Sequence, residues 1–194
     1  MSEPARKGAA IFKTVSDSVV KSITQRQILR YWERIRGADV LPTWSRFDRA
    51  EFSSCRENLC VMEVRREGDR IRLYIREHGE KLAEYYGSAC AGRYLDDFMS
   101  PEALAALSAI YAQVMETRRP VYTVAPVTDS RGRSVTCERL LLPFTLTGNV
   151  VDVVLVSLEA ICIDGAFDQL KVFEPTQHKF TAGFQGVIEA PAQG

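Results

Sequence analysis

The stretch at residues 73–87, "LYIREHGEKLAEYYG", changes character at its middle. Up to His78, apolar and polar residues alternate, the period of a strand with one buried face. After Gly79 the run "EKLAEYY" loses that alternation and stops at Gly87, as a short helix does. A strand therefore hands over to a helix, with Arg76, Glu77 and His78 crowded at the joint. Three readings of that trio are open: the working end of an enzyme, the polar mouth of a binding pocket, or a solvated corner.

The residues just upstream supply the strand's partner. Residues 59–65 alternate in the same way, and Gly68-Asp69 separates them from the strand at 70–76. A glycine-first pair suits the mirror-image turns that match strand twist, so this is an antiparallel hairpin. In its second strand Ile71, Leu73 and Ile75 share one face. Arg72, Tyr74 and Arg76 share the other, with His78 next in the same alternation.

Further strands are expected at 121–128, 134–144 and 150–157. "DSRGR" joins the first two, and Gly148-Asn149 reads as a second glycine-first hairpin turn. The last strand is apolar nearly throughout, which suits the middle of a sheet covered on both faces. Between the second and third strands lie helical segments at 80–86 and 92–99, then a longer helix. Ser100-Pro101-Glu102 starts that helix with a cap, a fixed-φ residue and an acid near the positive end. Leu104, Leu107, Tyr111, Val114 and Met115 form its buried stripe.

"TQRQ" at 24–27 has capping-box spacing and predicts a helix starting at Thr24 and ending at Gly37. A further short helix is expected around residues 15–23, and "LPTWSRFDRAEF" reads as an irregular connection. Ile28, Tyr31, Trp32 and Ile35 recur at helical spacing. This aromatic stripe is free to cover the second face of the sheet or to form a dimer or partner interface. Beyond Glu159 the pattern weakens, and Phe167, Phe173, Phe180 and Phe184 lie in a polar tail able to dock on the domain or on a partner. The expected divisions are an N-terminal segment at 1–23, a domain at 24–159 and a tail at 160–194.

The bulk composition narrows the function classes. With 194 residues and 46% hydrophobic content the chain can bury a real core. Lys and Arg total 25, as do Asp and Glu, and this balance argues against a nucleic-acid binder working by phosphate neutralisation. No run is apolar enough for a signal peptide or membrane span. The five cysteines are odd in number and have no metal-ligand spacing, and the only histidines are His78 and His178. No metal site or disulfide framework is expected, and the compartment reads as cytoplasmic.

The order of elements resembles that of a PAS domain. "ILRYWERIRGADVLP" at 28–42 is similar to the lead-in of a bacterial PAS family, and "YIREHG" at 74–79 to the end of its second strand. "GRYLDDFM" from Gly92 resembles its next helix, and "ERLLLPFTLTGNVVDVVL" from Glu138 its apolar strand and closing hairpin. The resemblance implies an α+β fold: a five-stranded antiparallel sheet with helices on one face and the N-terminal helix outside. It implies a sensory or interaction module of bacterial signalling. Its partners would be a small organic ligand, a signalling protein or a second copy.

Under that reading Arg76 anchors a ligand through its fixed fork of donors. Tyr74, Tyr85 and Tyr86 wall the pocket, His78 stands at its mouth and Glu138 receives a positive group or pairs with an arginine. The competing reading is a filled core that serves only as an interaction domain. An enzyme would use His78 as a general base, but no spacing supplies it with a nucleophile. Haem is not expected, because neither histidine lies on the helix facing the sheet. Flavin is not expected either: Cys90 lies in the right region, but amide-bearing strands are absent. Cys90, near Arg93, is the one cysteine placed to act as a redox sensor.

Overall fold

The structure is a computed structural model that describes residues 11–128, 133–161 and 183–189. Cys162, Phe167, Phe173, His178, Phe180 and most of "DSRGR" lie outside the described residues. The described strands form one seven-stranded sheet in the order β1-β7-β4-β5-β6-β2-β3. These are β1 (Lys13–Val15), β2 (Leu59–Glu67), β3 (Arg70–His78), β4 (Val121–Thr128), β5 (Ser134–Phe144), β6 (Val153–Ile161) and β7 (Phe184–Ile188). The expected five antiparallel strands are present as β2 to β6. The expectation of five is corrected to seven, because β7 adds antiparallel to β4 and β1 adds parallel to β7. The sheet is therefore mixed. Phe184 belongs to β7, so that part of the tail docks on the domain itself.

The β2–β3 hairpin turns at Gly68, whose φ of 60° is the left-handed value a glycine-first turn requires. Near its open end the pairing slips. Val61 faces Glu77 but Met62 faces Ile75, so Arg76 is an extra residue in β3. Such a bulge re-aims the side chains that follow it. His78 pairs with Cys60 and so shares a face with Met62 and Ile75, not with Tyr74 and Arg76. The strict alternation expected for β3 fails at this one residue. The second expected hairpin also differs: residues 145–152 form a longer loop, in which the Asp152 carboxylate accepts from Leu146 N at 2.8 Å and from Thr145 Oγ1 at 3.2 Å.

The cap of helix α1 (Ile23–Arg36) lies two residues before the expected one. Ser22 is the N-cap, accepting from Gln25 N, and its own hydroxyl donates to Glu159 Oε1 at 2.7 Å. The segment before it holds β1 and a 3-10 turn at Asp17–Val19 in place of an α-helix. α1 lies across the sheet's outer face. Gln25 Nε2 donates to Glu138 O and Ser157 O, and Trp32 Nε1 donates to Pro143 O at 2.8 Å. Ile28, Tyr31 and Trp32 are buried, and Ile35 packs against the same core. The stripe read as an interface candidate is thus consumed by the chain's own sheet. Its polar atoms are satisfied too: Tyr31 Oη donates to Arg46 O and accepts from Asp48 N at 2.7 Å.

The connection after α1 is built of 3-10 turns at Trp44–Arg46 and Arg49–Asn58, the latter kinked at Phe52. It supplies an aromatic cluster to the outer face. Tyr31 meets Phe52 edge-on at 4.9 Å, Phe47 stacks on Phe52, and Trp44 meets Phe144 edge-on. Each such pair contributes about 1 kcal/mol beyond area burial.

Helices α2 (Glu80–Tyr86) and α3 (Pro101–Thr117) cover the inner face. Both match their predicted starts, and Ser100 caps α3 by accepting from Ala103 N. Between them the expected helix at 92–99 shrinks to a 3-10 turn at Leu95–Asp97. The reason is pairing to the free edge of β3. Ile75 N donates to Arg93 O and Gly92 N to Ile75 O, and Tyr74 bridges Tyr94.

Candidate functional site

The residues predicted to form one pocket lie in five places. Tyr74 is on the outer face of the hairpin, where the Arg65 guanidinium covers its ring at 3.4 Å. The neighbouring Tyr94 ring carries Arg72 at 3.6 Å, and Arg72 is clamped by Asp96. That clamp holds the Asp96 carboxyl below its ordinary range. This is a surface ladder, not a pocket wall. Glu138 is buried on the outer face near Tyr122, whose phenol is pushed up by burial first and by the Glu138 carboxylate second. Tyr85 is buried in the core away from the inner cavity. Arg76 stands on the rim of an outer cleft. Only His78 and Tyr86 reach the inner cavity.

That cavity lies between the inner face and the two helices, with a volume of 40 Å³. At roughly 10–15 Å³ per water it has room for about three waters and none for a flavin ring. Its walls are apolar: Met62, Ile75, Leu107, Ile110, Leu141 and Val156. Its polar groups are His78, Tyr86, Tyr111 and Arg139. Arg139 is only 4% exposed and faces inward because β5 alternates, Glu138 outward and Arg139 inward. Burial pushes the Tyr86 phenol up to about 12, and the nearby Arg139 guanidinium pulls it the other way. Burial raises Tyr111 still further, again against Arg139. Both hydroxyls therefore stay protonated near neutrality and can donate. The sequence reading missed Arg139. The available signal was a charge between Cys137 and Leu141 on an otherwise apolar face.

His78 has a structural task. Cys90 N can only donate, so His78 Nε2 accepts that bond at 2.7 Å. The proton then sits on Nδ1 and is donated to Gly79 O at 2.9 Å. The neutral ring ties the strand end to the loop before Gly92. With both nitrogens engaged by backbone, it offers no lone pair to a substrate proton.

The redox assignment of Cys90 is also corrected. Its side chain is 2% exposed and burial raises its thiol, as it raises Cys60 to about 12 and Cys137 to about 11. Protonated, covered thiols are inert. An aromatic disulfide reagent at about pH 8 is expected to leave Cys60, Cys90 and Cys137 unmodified in the folded protein and to reach them in denaturant. Rapid native labelling of Cys90 would contradict its burial. Among the described residues no cluster of His, Cys, Asp and Glu is arranged to hold a metal. No described helix is long and apolar enough to cross a membrane.

The second concavity is a cleft of 570 Å³ on the outer face, at the open end of the β2–β3 hairpin. Val61 and Leu155 floor it, Phe47 and Phe52 close one side, and Arg49, Arg56 and Arg76 line its polar walls. Glu77 is the acid among them, held by Arg49 Nη2 at 2.8 Å.

A family profile described as the PAS domain matches residues 20–158. The chain belongs to the PAS-domain family, whose members are generally sensory signalling modules. No curated protein sequence matches it. Among solved structures, a light-oxygen-voltage domain studied with a flavin analogue aligns at TM-score 0.43 and 12% identity, over 59% of this chain and 84% of its own. A variant of RsLOV aligns at TM-score 0.38 and 13% identity, over 59% of this chain and 70% of its own. Neither likeness bears on ligand or activity.

Proposed function

We propose that this PAS domain is a non-catalytic regulatory module of bacterial signalling whose interior site takes a small anion of three or four heavy atoms. One observation carries the reading: the buried Arg139 guanidinium stands beside two protonated tyrosyl hydroxyls at the inner cavity of 40 Å³. A carboxylate or nitrate matches those donors in charge and that space in size. Binding would stiffen the contact between β5 and helices α2 and α3. A signalling partner or a second copy would then meet a shifted population of the domain. The smallness of the cavity equally favours the competing reading, an interaction domain with a filled core.

Thermal melts with acetate, formate or nitrate separate the two. The anion reading predicts a saturable rise in melting temperature that Arg139→Met abolishes. Circular dichroism first checks that Arg139→Met folds, and the comparison is made on the change in melting temperature that each anion produces in each protein. A small anion should also accompany the purified chain in native mass spectrometry. No shift with any of the three anions, together with a bare mass, would favour the filled core.

A further inference from the structure

The outer cleft is on the opposite side of the sheet from the inner cavity and has far more room. Its 570 Å³ falls within the range of roughly 300–1,000 Å³ typical of small-molecule sites. We infer that it binds an amphipathic organic anion, an apolar chain or ring bearing one carboxylate. The apolar body would lie on Val61, Leu155, Phe47 and Phe52, and the acid head on Arg56 and Arg76.

The charges select the head group. Three arginines face one acid, and that acid is taken: Glu77 is gripped by Arg49 through two bonds. Arg76 has only loose contacts with acids, 3.7 Å to Glu63 and 3.6 Å to Glu77. Arg56 makes no ion pair among the described residues. An anion entering the cleft thus meets two cations whose fields add and whose forks are available for bidentate binding.

The positions of those cations are built into the backbone. The bulge at Arg76 breaks the alternation of β3 where the cleft opens. The carbonyls of Arg56 and Glu57 press on Gly79 so closely that a Cβ there would overlap them. Gly79 N donates to Leu59 O at 2.8 Å, fastening the same corner. Arg56 and Arg76 are therefore carried by two segments locked together, not by separate mobile loops. A concave, apolar-floored site of this size fits a small molecule better than a flat protein face. The balanced net charge of the chain gives no support to a polyphosphate.

Decanoate titrated into the full chain, followed by calorimetry below its micellar concentration, tests this. Saturable binding is expected. Decan-1-ol, which keeps the chain and lacks the charge, and acetate, which keeps the charge and lacks the chain, should each bind at least about tenfold more weakly at the cleft. Arg56→Ala and Arg76→Ala should each weaken decanoate about tenfold with unchanged circular dichroism, since both side chains are exposed. Arg139→Met should leave decanoate binding intact, which separates this site from the interior one. Absence of saturation, equal binding of decanol, indifference to both Arg56→Ala and Arg76→Ala, or loss of binding in Arg139→Met would each overturn the assignment.

Discussion

Gly79→Ala is expected to lower the melting temperature by roughly 10 °C or more, the effect of losing about 3 kcal/mol in a domain of this size. The cause is space, not backbone conformation. Gly79 has an ordinary φ of −77°, which any residue adopts. A methyl at this site would overlap the backbone oxygens of Arg56 and Glu57, and backbone cannot rotate aside as a side chain can. The 3-10 segment would have to lift from the strand ends, breaking the bond from Gly79 N to Leu59 O and the ion pair of Lys81 with Glu57. Gly68→Ala is the control. It meets nothing within 4 Å and bears only the strain of φ 60°, about 1–2 kcal/mol. A melting curve in which Gly79→Ala costs no more than Gly68→Ala would show that this corner is packed differently.

Trp32→Glu is expected to unfold the domain. Trp32 is 3% exposed, and truncating a buried tryptophan costs about 3–5 kcal/mol even before a charge is buried in its place. Its indole N–H is also the partner of Pro143 O. Trp32→Phe keeps most of the packing and leaves that carbonyl unpaired, for a loss of about 1–3 kcal/mol. The two readings of the α1 stripe give opposite results in sedimentation. Burial against the chain's own sheet predicts loss of structure in Trp32→Glu. A fully folded but lighter species would mean that the stripe holds two copies together.

The parts of the fold that were legible in the sequence are those written in local chemistry. The β2–β3 hairpin is set by its period of two and by Gly68, and α3 by Ser100, Pro101 and the stripe from Leu104 to Met115. α2 was bounded by Gly79 and Gly87. The start of α1 moved because Ser22 and Thr24 are chemically equivalent caps, and the choice fell to a distant partner, Glu159. Strands β1 and β7 were not legible, since they exist only through pairing with each other and with β4. An amphipathic stripe reads the same whether it covers its own sheet or a neighbour's, and so α1 stayed ambiguous.

The site was less legible than the fold for a specific reason. Period-two reasoning assigns faces correctly until one residue is inserted, and Arg76 is that residue. The bulge leaves Arg76 on the outer side with Tyr74, at the cleft, and turns His78 onto the face of the inner cavity, away from its expected companions. In the proposed interior site Arg139 takes the role expected of Arg76. Its neighbour Glu138 points the other way.

The most direct test of the interior site is the side-chain N–H resonance of Arg139, assigned through Arg139→Met and followed while acetate is added. The account predicts a saturable shift of that resonance, accompanied by shifts at Tyr86 and Tyr111. An Arg139 signal that stays fixed while only exposed arginines such as Arg56 and Arg76 respond would contradict it.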